Sequence, residues 1–277
     1  MQKLAVYTAF DGDDMVFIDC MRNIAIINGY VPINPEYALG YYLSTTSHDG
    51  KKFEVMKDCL SLVMAADELW LFAESENIAL QQLSEGILVE VLLWVRVKTP
   101  GIRVFSISET VKSLNYHDHA SYKGRVLSID EPMIRTSLEN NQFSEISGFL
   151  DEVKYTLRPI VFIDIRNEDF KYIDWVRAYA YLHGKVPISP QHLMPEFIYK
   201  VHNNAQEDYQ GSIEKLKSVA SQIWAVYHSG VALQNTKERY GLSPRVTFVS
   251  MREVGMPKYA NPRNWSITSK EVKENLL

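Results

Sequence analysis

The sequence predicts an α/β protein built as two tandem units around mostly parallel sheets. Three observations carry that prediction. Short apolar runs alternate with stretches of helical spacing, the opening pattern returns 155 residues later, and the chain can fill two cores. At 277 residues, 46% hydrophobic and 23% charged, it suits one large domain or two of about 100–150 residues.

The first unit reads in order. Leu4–Thr8 is a short apolar strand that runs into Asp11-Gly12-Asp13-Asp14, a turn and helix-cap cluster. Residues 15–28 carry Ile18, Met21, Ala25 and Ile26 at helical spacing, and Gly29 stands where a C-terminal cap belongs. Val31-Pro32-Ile33 is a second strand, with Pro35 blocking its continuation. A helix over 52–66 leads to the strand Glu68–Phe72, a helix from Glu85 to Val97 follows, and Ile102–Ser106 is the fourth strand. Strands alternating with helices describe a Rossmann-like, flavodoxin-like unit covered on both faces.

The second unit repeats this opening. Val6, Asp14, Ile18, Asp19, Arg22, Ala25, Gly29, Val31, Pro32, Ile33 and Pro35 meet Val161, Asp169, Ile173, Asp174, Arg177, Ala180, Gly184, Val186, Pro187, Ile188 and Pro190. Further on, Glu68-Leu69-Trp70 corresponds to Gln222-Ile223-Trp224, and Gly101–Val104 to Gly241–Val246. The reading is an internal duplication whose second copy is degenerate: 1–106 the first unit, 107–158 a connector, 159–256 the second unit, and 257–277 a tail. Within the connector, Asn115–His119 reads as loop and Ser144–Tyr155 as helix.

Charge and composition exclude several classes. A net charge of −5 offers no basic field for nucleic acid, so direct nucleic-acid binding is not expected. Two cysteines, Cys20 and Cys59, are too few for a disulfide framework and read as buried thiols of a reducing, cytoplasmic compartment. The most apolar stretch, Gly86–Val97, is too short to span a bilayer and contains Glu90 and Arg96, and the strand-like first residues lead to the expectation of no secretory leader.

Glu90 is the most informative residue. It is the one carboxylate in the apolar decamer Gly86–Val95, and its helical neighbours Gly86, Ile87, Leu93 and Trp94 carry no charge. It is either the exposed or salt-bridged edge of a core helix, or a carboxylate facing a pocket where burial raises its pKa. Ser84 is a natural N-cap for this helix. With Gly86 it is also suited to present free backbone N–H groups to a phosphate or carboxylate. Gly86 lies one turn before Glu90 and leaves room for a ligand. The loops after the first three strands put Thr8–Asp14, Asn34-Pro35 and Ser84–Glu90 at one sheet edge.

Other constellations are weaker. His117-Asp118-His119 has no companion His or Cys cluster, so no metal and no cofactor are expected. Trp70, Trp224, Phe72 and Phe149 read as core, and Lys51-Lys52, Arg245 and Arg252 as solvated charges.

Together these residues resemble the nucleoside 2-deoxyribosyltransferase-like superfamily, including deoxynucleotide N-glycosidases, and especially its small bacterial and phage members. The residues that carry the likeness are the Val-Tyr strand, the Arg-bearing helix, Gly-Tyr-Val-Pro-Ile-x-Pro, Asp67–Phe72 and Ser84-Glu85-Gly86-x-x-x-Glu90. It covers residues 4–106, with an echo over 160–249. The chain departs from the family pattern in lacking a glycine or proline in the first loop and in inserting residues between Phe72 and Ser84.

The resemblance implies that Glu90 is a nucleophile toward the anomeric carbon and that Ser84 and its helix start receive a 5′-phosphate. It implies that Tyr7, Ala9 and Phe10, with Asp11, form the base-enclosing segment. Asp11 is the nearest candidate proton donor, although Asp11, Asp13 and Asp14 equally suit a helix cap. Asp67 matches a structural aspartate. In the second copy Gln234 follows Gly230 as Glu90 follows Gly86, and an amide is no nucleophile. The tandem then reads as an intrachain pseudo-dimer with one catalytic site.

The expected activity is cleavage of the N-glycosidic bond of a nucleotide or nucleoside, with water or another base as acceptor. Two alternatives stand beside it: a non-catalytic nucleotide-binding module, and a toxin effector of a retron-like anti-phage system acting on nucleotide pools. The expected partners are the small-molecule substrate, with a homo-oligomer or defence-system partner possible and no membrane.

Overall fold

The computed structural model describes residues 4–10, 15–39, 52–76, 83–98, 102–115, 124–127, 144–153, 155–166, 172–194, 205–241 and 243–254. Asp11, His117–His119 and the tail beyond 254 lie outside the described residues, as do the loop aspartates 13 and 14.

The first sheet holds β1 (Ala5–Phe10), β2 (Val31–Ile33), β3 (Glu68–Ala73), β4 (Ile102–Ser106) and β5 (Arg125–Leu127) in the order β2-β1-β3-β4-β5. The first four are parallel and β5 is antiparallel to β4. Its helices are α1 (Met15–Ile27), α2 (Lys52–Ala65), α3 (Glu85–Val97) and α4 (Ile107–Asn115). The second sheet holds β6 (Ile160–Asp164), β7 (Val186–Ile188), β8 (Gln222–Tyr227) and β9 (Val246–Ser250) in the order β7-β6-β8-β9, all parallel. Its helices are α6 (Ile173–Leu182), α7 (Ala205–Val219) and α8 (Gly230–Tyr240), while α5 (Ser144–Val153) lies between the units. A single helical turn follows β2 over 35–39 and β7 over Pro190–Leu193.

Strand pairing repeats as the sequence does. Ala5 pairs with Val31 and Ile160 with Val186, each 155 residues apart, and Gly29 and Gly184 both cap their helices at positive φ (83° and 67°). The fourth strands slide by two residues from the sequence correspondence. Leu69 faces Ile102 and Ile223 faces Val246, so Val246 matches Ile102 rather than Val104. The stretch read as a connector from residue 107 is partly integrated into the first unit, because α4 packs beside α1 and β5 extends the first sheet.

The pleat sorts β1 into two cores. Ala5, Tyr7 and Ala9 face a layer of helices, whereas Val6 and Phe10 face α1, where Phe17, Ile18, Met21 and Ile24 join Trp70, Phe72 and Phe105. The helix layer is shared by both sheets. One continuous core joins Tyr7, Ile33, Leu60, Val91 and Trp94 to Phe162, Ile188 and Leu216. Helix α2 touches β6 and β7 of the other unit, and α7 touches β1 and β2 in return. Outside the second sheet, α6 packs Trp175 and Val176 on Val161, Ile163 and Trp224.

Polar ties cross the same boundary. Lys215 Nζ reaches Asp67 Oδ2 at 2.7 Å, and that oxygen also accepts the Ala5 N–H at 2.6 Å. Arg158 pairs with Asp58 at 3.1 Å, and its backbone N–H donates to Ser61 Oγ at 3.1 Å. Arg177 Nη2 donates to the carbonyls of Tyr37 (2.8 Å) and Ala38 (2.6 Å), while Nη1 holds Asp174 at 2.9 Å. Arg245, read as a solvated charge, donates instead to the Lys217 and Ala220 carbonyls at the C-terminal end of α7. Cys59 is buried, but Cys20 is only half-buried. Among the described residues no helix is long and apolar enough to cross a membrane.

Candidate active site

The strand order reverses at β1, with β2 on one side and β3 on the other, and ligands of open parallel sheets bind beyond the strand ends at such a point. Tyr7 of β1 and Glu90 of α3 meet in the helix layer beneath it. The Tyr7 hydroxyl donates to Glu90 Oε1 at 2.6 Å, and Glu90 is only 5% exposed. Its other oxygen, Oε2, is buried with no hydrogen-bond partner.

This placement follows from the local sequence. Every residue of α3 from Ile87 to Trp94 is buried, so the lone acid of that run has no solvent face to occupy. On β1, Tyr7 shares its face with Ala5 and Ala9, two small residues that leave space for a phenol and its partner.

Electrostatics follow from burial. Loss of water raises the Glu90 carboxyl from its ordinary 4.5 to about 8, with the Tyr7 hydrogen bond pulling the other way. Burial also pushes the Tyr7 phenol well above its usual value, helped by the charge of Glu90 and by Cys59. Cys59 of α2 lies beside Tyr7, and burial, then Glu90, then Asp58 raise its thiol against the lowering hydrogen bond of Tyr7. Burial therefore favours the neutral acid form of Glu90 at neutral pH. A neutral carboxyl binds and donates; as a nucleophile it must first lose its proton.

The entrance to α3 is less buried. Ser84 is the N-cap, with its carbonyl accepting from Leu88 N–H at 2.9 Å, yet its hydroxyl makes no capping bond. Ser229, the N-cap of α8, does cap, accepting from Ala232 N–H at 3.2 Å. The first-turn N–H groups of α3 have no intrahelical acceptor, as at any helix start. A Cβ on Gly86 would stand 3.3 Å from Met56 Cε, so the flexible tip of Met56 already covers this glycine.

The expected site residues divide accordingly. Tyr7, Glu90 and Ala9 are brought together on one face, and Ser84 and Gly86 open the helix that carries Glu90. Phe10 is not on that face: the pleat turns it toward α1, where its ring lies 4.7 Å from Phe17. It therefore does not join Tyr7 and Ala9 as one lining segment. Asp11 lies outside the described residues. Asp67, tied to Ala5 and Lys215, is structural. Cys59 and Met56 were missed as neighbours of the site; their place on the inner face of α2 was the available signal. Among the described residues no group of three or more His, Cys, Asp or Glu side chains suits a metal ion.

The second unit builds something different at the corresponding places. Register puts Phe162 where β1 has Tyr7. Counted from the N-caps, Asn235 rather than Gln234 falls opposite Glu90, and both amides are exposed. Asp164 there accepts from Tyr240 and Arg239.

No family model, no curated protein and no solved structure matches this chain.

Proposed function

We propose that the chain is an enzyme of the nucleoside deoxyribosyltransferase-like kind, which cleaves the N-glycosidic bond of a nucleotide with Glu90 as nucleophile. The single observation that carries the reading is the buried Tyr7–Glu90 pair, 2.6 Å apart, with Glu90 Oε2 unpartnered. Buried carboxyls with perturbed pKa values concentrate at functional sites, because an unpaired one costs stability that a purely structural role does not return.

The chemistry follows from the residues. Tyr7 fixes one carboxyl oxygen and thereby aims the other. Once ionised, Glu90 Oε2 attacks C1′, the bond from C1′ to the base nitrogen breaks, and a glycosyl ester forms. Water attacking that ester yields the sugar phosphate; a second base yields a new nucleotide. The free Ser84 hydroxyl and the α3 start favour a 5′-phosphate over a bare nucleoside.

The same reading takes the two units as an internal duplication in which only the first copy keeps the site. It is supported by the matching strand orders, the 155-residue pairing offset, the mutual exchange of α2 and α7, and the loss of both Tyr7 and Glu90 equivalents.

A second reading, a nucleotide-binding module without turnover, draws on the burial that favours the neutral form of Glu90. One experiment separates them. The protein is incubated with a panel of ribo- and deoxynucleotides and free base is followed by chromatography. Release that disappears in Glu90→Gln supports the enzyme, binding without release supports the module, and undiminished release by Glu90→Gln removes the nucleophile.

A further inference from the structure

Glu90 is 5% exposed, so nothing reaches its unpartnered Oε2 until a neighbouring group moves. The neighbours differ in how easily they can. Tyr7 is fixed by its hydrogen bond to the carboxyl, and Cys59 lies buried beside it on α2. Ile87, Val91 and Trp94 are embedded in the core that the two sheets share. Met56 is different. It is half-buried, its unbranched arm turns about several bonds, and its terminal methyl stands 3.3 Å from where a Cβ of Gly86 would be.

The fold gives that contact a direction. Helices α2 and α3 lead into the parallel strands β3 and β4, so both start at the C-terminal edge of the sheet and run back to its N-terminal edge. Met56 lies one turn before Cys59 on α2, and Gly86 one turn before Glu90 on α3. The outer pair, Met56 and Gly86, is half-buried, whereas the inner pair, Cys59 and Glu90, is 7% and 5% exposed. Burial therefore deepens within a single turn from the sheet edge inward, and Met56 stands at that step. Helical side chains lean toward the N-terminus of their helix, which carries the Glu90 carboxyl toward Gly86 and the methyl that covers it.

We propose that Met56 is the gate of the Glu90 site: its thioether arm lies over Gly86, and a sugar meets the carboxyl only after that arm swings aside. Swinging it gives up only the contacts of a flexible tip, and no Cβ stands in the gap that opens at Gly86. That the arriving group is a sugar rests on the reading of Glu90 as nucleophile; the gate itself is read without turnover.

Cys59 supplies the reporter. The chain has two cysteines, so Cys20→Ser leaves one thiol, beside Tyr7 and one turn inside the gate. In that background the rate at which Cys59 reacts with dithiodipyridine is compared for Met56, Met56→Leu and Met56→Ala. Leucine keeps most of the volume but withdraws the terminal methyl, which leaves a testable variant if alanine loosens the fold. Labelling is expected to rise about 3-fold with leucine and about 10-fold or more with alanine, because fewer contacts hold the local opening shut. Met64→Ala, two turns further along α2 and also half-buried, measures the labelling that general loosening produces. Faster labelling in the Met56 variants than in Met64→Ala supports the gate; rates that match Met64→Ala or stay at the parent value overturn it. A nucleotide panel from which no base is released removes the Glu90 reading alone, since the labelling comparison involves no turnover.

Discussion

Replacing Glu90 by Gln measures what holding this acid inside the protein costs. The folded chain keeps a proton on Glu90 up to about pH 8, whereas in the unfolded chain the carboxyl ionises near its ordinary 4.5. Between these values the folded state binds more protons than the unfolded one, so stability falls as pH rises through that window. The loss is about 1.4 kcal/mol per pH unit, on the order of 3 kcal/mol by neutral pH. Gln is free of this term; its amide oxygen still accepts from Tyr7, and its NH2 stands where the neutral acid already has an unpartnered hydroxyl. The variant is therefore expected to gain on the parent by about 2.5 kcal/mol between pH 5.5 and 7.5. Urea melts of both proteins at each pH give the difference, with the other titrating groups cancelling. A difference that stays flat within about 0.5 kcal/mol shows that Glu90 is not held protonated and refutes the electrostatic reasoning about the site.

The remaining predictions concern its neighbours and the unit boundary. Tyr7→Phe removes the donor to Glu90 Oε1 without opening a large cavity; it is expected to push the Glu90 carboxyl higher still, read by carboxyl NMR titration, and to slow base release by about 10–100-fold. Ser229→Ala is expected to cost about 1 kcal/mol in denaturant melts by removing a cap, while Ser84→Ala, whose hydroxyl caps nothing, is expected to change stability by less than about 0.5 kcal/mol. Arg177→Met strips the Tyr37 and Ala38 carbonyls of their partner across the boundary and leaves Asp174 with His192 alone, and is expected to destabilise by about 2–4 kcal/mol; an unchanged melt would mean the tie adds nothing.

How much of this was legible in the sequence depends on the range of the signal. Helices α1, α2 and α3 and strands β3 and β4 were readable because period and caps are local, and each unit's Val-Pro-Ile strand was marked by its flanking glycine and proline. Helix α4 was lost among polar residues, and β5 is three residues long, too short to alternate and paired only through β4. At the site, the apolar run around Glu90 announced burial, but its partner was a matter of strand parity. Tyr7 and Phe10 sit three positions apart on β1, so one pleat separates their faces, a parity that the resemblance grouping them in one base-enclosing segment does not carry. The exchange of α2 and α7 leaves no local mark at all, since an apolar helix face does not say which sheet it covers.

That exchange changes how the site itself should be understood. The shift of Glu90 is first of all a matter of lost water, and on the helix-facing side of β1 and β2 the water is kept out by α7 of the second unit as well as by α2 and α3 of the first. The core containing Tyr7 also contains Leu216, Phe162 and Ile188, so it cannot close without them. A second unit that has Phe162 and Asn235 where the first has Tyr7 and Glu90 has no use for a carboxyl of its own, yet it keeps Lys215 on Asp67 and Arg177 on the 35–39 turn, and the residue that leads into it, Arg158, holds Asp58. If duplication produced the pair, selection on the second copy acts through those contacts: what it contributes around Glu90 is a dry wall, and loosening it should return Glu90 toward an ordinary carboxylate before it unfolds the first sheet.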